Sequence, residues 1–185
     1  GSLLVVDTGG WFYRGCPTSQ FAKPELLGGI YRIRRDGKAG HEDPRGLLLP
    51  WGTCTATELL GLFADDRHVV REKAVNEAVK RGAEMIAALS SVIKNASPHV
   101  RRHAILALGR LAQDPVLAKA SVSALMPAVG DSLPELRQLA CRSLGFSHCP
   151  VDVASLFFLL QDSNPHVRRQ AQTTLGMRKN RAAVE

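Results

Sequence analysis

Asp162-Ser163-Asn164-Pro165-His166-Val167-Arg168, with Ala171 three residues on, decides the fold, because the same arrangement occurs three times before it. Asp65-Asp66-Arg67-His68-Val69-Val70-Arg71 leads to Ala74, Asn95-Ala96-Ser97-Pro98-His99-Val100-Arg101 to Ala104, and Asp131-Ser132-Leu133-Pro134-Glu135-Leu136-Arg137 to Ala140. The arginines stand 30, 36 and 31 residues apart, and three units continue to Leu-Gly: Leu108-Gly109, Leu144-Gly145 and Leu175-Gly176. Each unit reads as a polar turn followed by a helix. Pro98, Pro134 and Pro165 sit where a helix begins and a missing N–H costs nothing. Val100, Ala104, Ala107, Leu108 and Leu111 then recur at helical spacing on one face. A second helix precedes each turn, expected over 57–64, 83–94, 118–130 and 151–161, with an insertion around 113–119 marked by Asp114-Pro115.

One helix pair cannot bury its apolar face alone, whereas stacked pairs share a continuous core. The expected fold is therefore mainly α, an α-α superhelix of about four helix pairs. Stacking also lines up the turn residues Asp65, Asn95, Asp131 and Asp162 with the helix-start residues Arg71, Arg101, Arg137 and Arg168. We expect a ladder of hydrogen bonds and ion pairs running from one repeat to the next. The alternative gives the turn residue a capping role and the arginine a solvated one; their joint recurrence in one register favours the ladder.

These units resemble the HEAT family, especially the short HEAT-like repeats of phycobilisome lyases, and the resemblance covers 58–185. It implies a helical-repeat scaffold for a protein partner or for other domains of a larger chain. Residues 39–57 read as a linker.

The first 38 residues are of another kind. Leu3–Val6 is a strand-like run ending in a turn, Trp11-Phe12-Tyr13 is a second candidate strand, and Gly28–Arg35 alternates apolar and polar. So few strands make no stable sheet of their own, so this segment is expected to need partners. Val5-Val6-Asp7-Thr8-Gly9-Gly10-Trp11-Phe12, then Gly15-Cys16-Pro17-Thr18-Ser19, then Leu27–Arg35 resemble the end of a β-propeller of the sorbosone-dehydrogenase-like proteins of planctomycetes. Asp43-Pro44-Arg45-Gly46-Leu47 and Trp51 fit the linker of that family. The resemblance implies an exported or periplasmic parent protein in which a propeller precedes HEAT repeats and a cytochrome c domain often follows. The chain, which begins Gly1-Ser2 and at once enters an apolar run, is accordingly expected to be a piece of a longer protein or an engineered segment.

The 185 residues are 45% hydrophobic and 5% aromatic, with a formal charge of +7. Ala- and Leu-rich, aromatic-poor composition suits closely packed helices. Residues 1–57 hold seven Lys/Arg against five Asp/Glu, and the last twenty hold five basic residues against Glu185. The repeat body between them is close to neutral, which argues against a nucleic-acid groove, since such a groove runs basic along its length. No apolar run is long enough to cross a membrane as a helix.

Chemistry-bearing candidates are few. Cys16, Cys54, Cys141 and Cys149 form no CxxC and no disulfide framework, and no CxxCH offers a haem attachment site. Cys141 reads as a small core residue. His99 and His103, four apart, could share a metal, but no third ligand is evident. His148-Cys149-Pro150 reads as a turn, and Cys16 as a loop thiol with no visible pKa depressant. Gly9-Gly10 and Gly28-Gly29 lack phosphate-loop spacing. Arg32, Arg34, Arg35 and Lys38 read as a solvated edge. Arg178-Lys179-Asn180-Arg181 reads either as a contact for an acidic partner or as a frayed end. No catalytic, metal or cofactor residue is assigned. The expected function is a non-catalytic scaffold, with part of a quinone- or haem-linked sugar or alcohol dehydrogenase as the first alternative and a nucleic-acid-binding solenoid as the second.

Overall fold

A computed structural model describes residues 2–7, 9, 25, 27–34, 37, 40, 42–151 and 153–182. The chain forms two compact units, Gly1–Pro44 and Arg45–Glu185.

In the first unit β1 (Ser2–Asp7) pairs antiparallel with β2 (Gly29–Arg34), Leu3 opposite Ile33 and Val5 opposite Tyr31. Opposed residues share a face, so Leu3, Ile33, Val5 and Tyr31 lie on one side and Leu4, Val6 and Ile30 on the other. Both sides carry large apolar groups and both are exposed, Val6 at 65% and Ile30 at 75%. The expected strand at Trp11-Phe12-Tyr13, together with Cys16, Arg35 and Lys38, lies outside the described residues.

The second unit is a HEAT-like solenoid of four repeats. Helix α1 (Ala56–Gly61) runs into a 3₁₀ turn, Leu62–Ala64, and pairs with α2 (His68–Arg81). Helix α3 (Ala83–Asn95) pairs with α4 (Pro98–Leu111). Helix α5 (Ala118–Leu125), extended by the 3₁₀ segment Met126–Gly130, pairs with α6 (Pro134–Gly145). In the last repeat a 3₁₀ segment, Val153–Gln161, replaces the first α-helix and pairs with α7 (Pro165–Ala182). Thus three of the four first helices tighten into 3₁₀ geometry before the turn, where a continuous α-helix was expected. The second helices α2, α4, α6 and α7 pack in sequence as one layer, and α1, α3 and α5 form the other.

Local chemistry explains the boundaries. Thr55 opens α1 with a reciprocal cap: its Oγ1 accepts from Glu58 N at 3.2 Å, and Glu58 Oε2 accepts from Thr55 N at 2.7 Å, satisfying two orphan donors. These bonds hold the Glu58 carboxyl below the ordinary carboxylate range. Pro98 and Pro134 occupy the first turns of α4 and α6. Gly82, at φ +66°, turns the chain between α2 and α3, a conformation in which a Cβ is strained. In the insertion, Asp114 Oδ1 accepts from Val116 N at 2.8 Å and closes a side-chain turn.

The core follows the repeat register. Ala74, Ala104, Ala140 and Ala171 are all fully buried, as are Leu108 and Leu144. Small alanines there let neighbouring helices approach closely, and Phe63, Met85, Leu89, Ile105, Leu125, Leu156 and Leu159 fill the space between layers. Cys141 is also fully buried, and burial raises its thiol pKa, in keeping with an inert packing role.

Residues 45–55, expected inside the linker, belong to the helical unit. Trp51 Nε1 donates to Gly46 O at 2.6 Å, and Lys73 Nζ stands 4.5 Å from the Trp51 ring centre. Arg81 reaches from the end of α2 to Cys54 O at 2.8 Å and Trp51 O at 3.1 Å. A Cβ on Gly46, itself at φ +64°, would lie 2.6 Å from Val70 Cγ2. The resemblance that implies a linker here leaves out that Trp51 and buried Cys54 give the segment apolar groups to anchor.

Candidate functional site

The repeat junctions come first, because they set the spacing of everything on the surface. Arg101 Nη1 lies 3.1 Å from Asp131 Oδ2. Arg137 makes a two-pronged contact with Asp162, Nε to Oδ2 at 2.7 Å and Nη2 to Oδ1 at 2.8 Å. In both cases the arginine of one repeat meets the turn acid of the next. Each acid also accepts from a backbone amide two residues on, Leu133 N at 2.9 Å for Asp131 and Asn164 N at 2.8 Å for Asp162. The remaining guanidinium nitrogen of Arg137 bonds its own turn, Asp131 O at 2.8 Å and Ser132 O at 3.2 Å. Arg71 and Arg168 bond their own turns alike, to the carbonyls of Asp65 and Asp66 and of Asp162 and Ser163. Arg137 holds the Asp162 carboxyl below its ordinary range, and Asp162 raises the Arg137 pKa in return.

The first junction departs from the expected ladder. Asn95 is the last residue of α3, is exposed, and among the described residues has no side-chain hydrogen bond. Repeat two has no 3₁₀ tightening, so Asn95 stays in the helix instead of entering the turn as Asp65, Asp131 and Asp162 do. Among the described residues Arg71 accordingly makes no hydrogen bond or ion pair with a side chain of the next repeat, and at the following junction Arg101 keeps a buried Nε without a partner. The first acid is engaged within its own repeat: Arg67 Nε donates to Asp65 Oδ1 at 2.9 Å and Nη2 to Oδ2 at 2.7 Å. Asp65 and Asp131 also accept from the backbone N–H of the residue that leads into the following helix, Arg67 N at 2.8 Å before α2 and Leu133 N at 2.9 Å before α6.

A second register joins the second helices, one the sequence displays as Leu-Gly without saying what faces it. A Cβ on Gly109 would stand 2.6 Å from Ser143 Oγ and 2.7 Å from Ser143 Cβ. A Cβ on Gly145 would stand 3.3 Å from Thr174 Oγ1. Gly176, the same position in the last repeat, faces nothing within 4 Å. Thr174 also donates to Cys141 O at 3.0 Å.

Two hollows of about 450 Å³ each open on the layer of second helices and adjoin at Leu106 and Arg110 of α4, which line both, and together they make a broken groove. One end is lined by α2 and α4, including Glu72, Arg102 and His103, and the other by α4 and α6, including Leu139, Arg142 and Phe146. Leu106, Leu139 and Phe146 give apolar surface, with Phe146 42% exposed. Arg102, Arg110 and Arg142 are exposed, and among the described residues no carboxylate lies within 4.0 Å of any of them. Arg110 Nη1 donates to the neutral Asn76 Oδ1 at 2.5 Å. Glu72 pairs loosely with His68 at 3.9 Å. A near-neutral body thus carries a basic groove, because the turn acids are drawn into the repeat junctions; net charge alone conceals this.

The other candidates resolve simply. His103 Nδ1 lies 2.7 Å from His99 O and its ring packs 5.8 Å from that of Phe63; burial lowers its pKa, favouring the neutral ring. Among the described residues no group of three or more His, Cys, Asp and Glu is placed to hold a metal. His148-Cys149-Pro150 is a turn tied down by His148 N donating to Ala112 O at 2.9 Å. Arg178, read in the sequence as a partner contact or a frayed end, is buried and donates to Leu144 O, Ser147 Oγ and Cys149 O. No helix among the described residues is long and apolar enough to cross a membrane.

The family described as HEAT repeats matches residues 122–185. No curated protein matches the chain. Among solved structures, the chain is similar to the complex of CpcE and CpcF of phycocyanin lyase from Nostoc sp. PCC7120, at 22% identity and TM-score 0.55, over 68% of this chain and 78% of that one. It is also similar to human deoxyhypusine hydroxylase in complex with glycerol, at 23% identity and TM-score 0.54, over 68% of this chain and 44% of that one. At such identities the likeness speaks for the fold, and the fold is that of a HEAT-like helical solenoid.

Proposed function

We propose that this chain is a non-catalytic scaffold for protein–protein or interdomain contacts, and a portion of a larger exported dehydrogenase-like protein in which a β-propeller stands before the repeats. The observation that carries the scaffold reading is the groove, where side chains from three successive second helices line a broad surface and the exposed arginines Arg102, Arg110 and Arg142 have no carboxylate partner among the described residues. Helical-repeat proteins use such faces for partners. The structural likeness to a complex of two phycocyanin-lyase subunits supports a protein as the occupant. The propeller reading rests on the β1–β2 ribbon: both of its faces are apolar and exposed, which suits a strand pair built into a larger sheet. In this reading any sugar or alcohol oxidation by the parent protein belongs to parts other than the solenoid.

Hydrogen exchange tests the scaffold directly. Amides of 102–113 and 139–146 in the parent protein should exchange more slowly than in the isolated 185-residue chain. Equal exchange in the two would defeat the reading. Oxidation of sugars by the isolated chain with a quinone or dye acceptor would move the assignment to the enzymatic alternative.

A further inference from the structure

Resting on the scaffold reading, we infer that the groove across α2, α4 and α6 takes an extended acidic protein segment with one apolar side chain seated against Phe146. The charge argument starts from what the groove keeps. Arg102, Arg110 and Arg142 project from adjacent helices with no carboxylate beside them. Their neighbours Arg101 and Arg137, one position or a few along the same helices, are consumed by Asp131 and Asp162. His103 adds little, since burial holds it toward neutrality. At the α2 end Arg71, Arg102 and Arg110 outweigh the single acid of the lining, Glu72, and at the α6 end Arg110 and Arg142 face no acid of the lining, so both ends are positive.

Shape supplies the rest. Packed helices lie about 8–10 Å apart, so crossing from α2 to α6 takes about 16–20 Å, or five to six residues of extended chain at about 3.3 Å each. Leu106, Leu139 and Phe146 form an apolar stretch at the α6 end that fits an aliphatic side chain and gives a phosphate backbone nothing to bond. Nucleic acid fits less well for two further reasons. Three arginines release few counterions, and Phe146 is the one Phe, Tyr or Trp among the lining residues, too few for a stacking platform. Bidentate guanidinium–carboxylate pairing serves an acidic peptide at each of the three positions.

The probe is a dye-labelled peptide of seven residues, glutamates around one central leucine, titrated by fluorescence anisotropy. The purified chain should bind it saturably, and more weakly as salt rises. Arg102→Glu combined with Arg142→Glu, both exposed and both checked by circular dichroism, should weaken binding at least tenfold and create binding to the matching lysine peptide. Replacing the central leucine by serine should weaken binding several-fold. The inference falls if no saturable binding occurs, if the double variant binds the acidic peptide as well as the parent, if the serine peptide binds equally, or if oligothymidine of similar length binds more tightly. Slow exchange across the groove in the parent protein, combined with failure of the acidic peptide, would overturn this inference alone; equal exchange would remove the scaffold reading with it.

Discussion

Removing the carboxylate of Asp162 should cost the solenoid about 2–3 kcal/mol, and the structure gives the working. Asp162 takes two donors from Arg137, at 2.7 and 2.8 Å, and one from Asn164 N at 2.8 Å. The side chains of the pair keep only 7% and 14% of their surface exposed. Breaking a fully buried pair costs about 3–5 kcal/mol, because the survivor is left charged and unpaired; breaking an exposed one costs at most about 1 kcal/mol. The Arg137 guanidinium is pinned by Asp131 O and Ser132 O, so it cannot swing out freely to find water. Asp162→Ala therefore falls between the two limits and nearer the upper one. Asp162→Asn, which keeps an acceptor for the turn amide, should cost about 1–2 kcal/mol. Urea unfolding followed by circular dichroism reads the global effect. Native-state hydrogen exchange should place the loss in the last two repeats, since each repeat touches only its neighbours. The sign with pH follows from the direction of the shift. The folded Asp162 pKa is depressed, chiefly by its Arg137 hydrogen bonds. Its contribution is thus complete above the unfolded value of about 3.9 and is lost as pH falls through the lower folded value. Asp162→Asn should flatten that acid limb. A loss below about 0.5 kcal/mol for Asp162→Ala, with an unchanged acid limb, would refute the junction as a stabilising element.

Gly109→Ala and Gly176→Ala, the same substitution at equivalent positions, should act in opposite directions. The first forces a Cβ to within 2.7 Å of Ser143 Cβ and should destabilise by about 1–3 kcal/mol. The second meets open space and should stabilise by about 0.5–1 kcal/mol in thermal or urea unfolding. Asn95→Asp, which the bare register would expect to add a rung, should instead leave stability unchanged or lower it by a few tenths of a kcal/mol, because it puts a negative charge at the C-terminus of α3. Arg178→Ala should cost about 2–4 kcal/mol, leaving the acceptors of the 144–149 turn unmet, and should speed exchange at 144–149 before the rest of the solenoid.

The fold was legible because the turn, the proline and the buried alanine recur at one register, and a periodic signal survives the exchange of individual residues. The pairings Arg101–Asp131 and Arg137–Asp162 lie where that register puts them. Asn95 shows what a register leaves out: the sequence equates Asn with Asp, while the geometry depends on whether the preceding helix tightens into a 3₁₀ turn, as it does at Leu62–Ala64 and Met126–Gly130 but not at Asn95. The groove was hidden for a different reason. Summing charges along the chain mixes acids buried in the junctions with arginines left on the surface, and only three-dimensional placement separates them. Arg178 shows the same limit, reading as one of a basic run although its guanidinium is enclosed by backbone oxygens.

The Asp65–Arg67 contact fixes how the array can grow by duplication. Among the described residues repeat three is the unit that carries both an acid that receives from the unit before, Asp131 from Arg101, and an arginine that reaches the unit after, Arg137 to Asp162, so a duplicate of that unit arrives with both halves of a working joint. Ahead of Asp65 there is no such opening, since Arg67 already fills both carboxylate oxygens and Trp51 and Cys54 lie clasped by Arg81. A copy of repeat three therefore extends the series with its charged joints kept, whereas a copy of the first repeat set in the interior brings an acid already engaged by its own arginine.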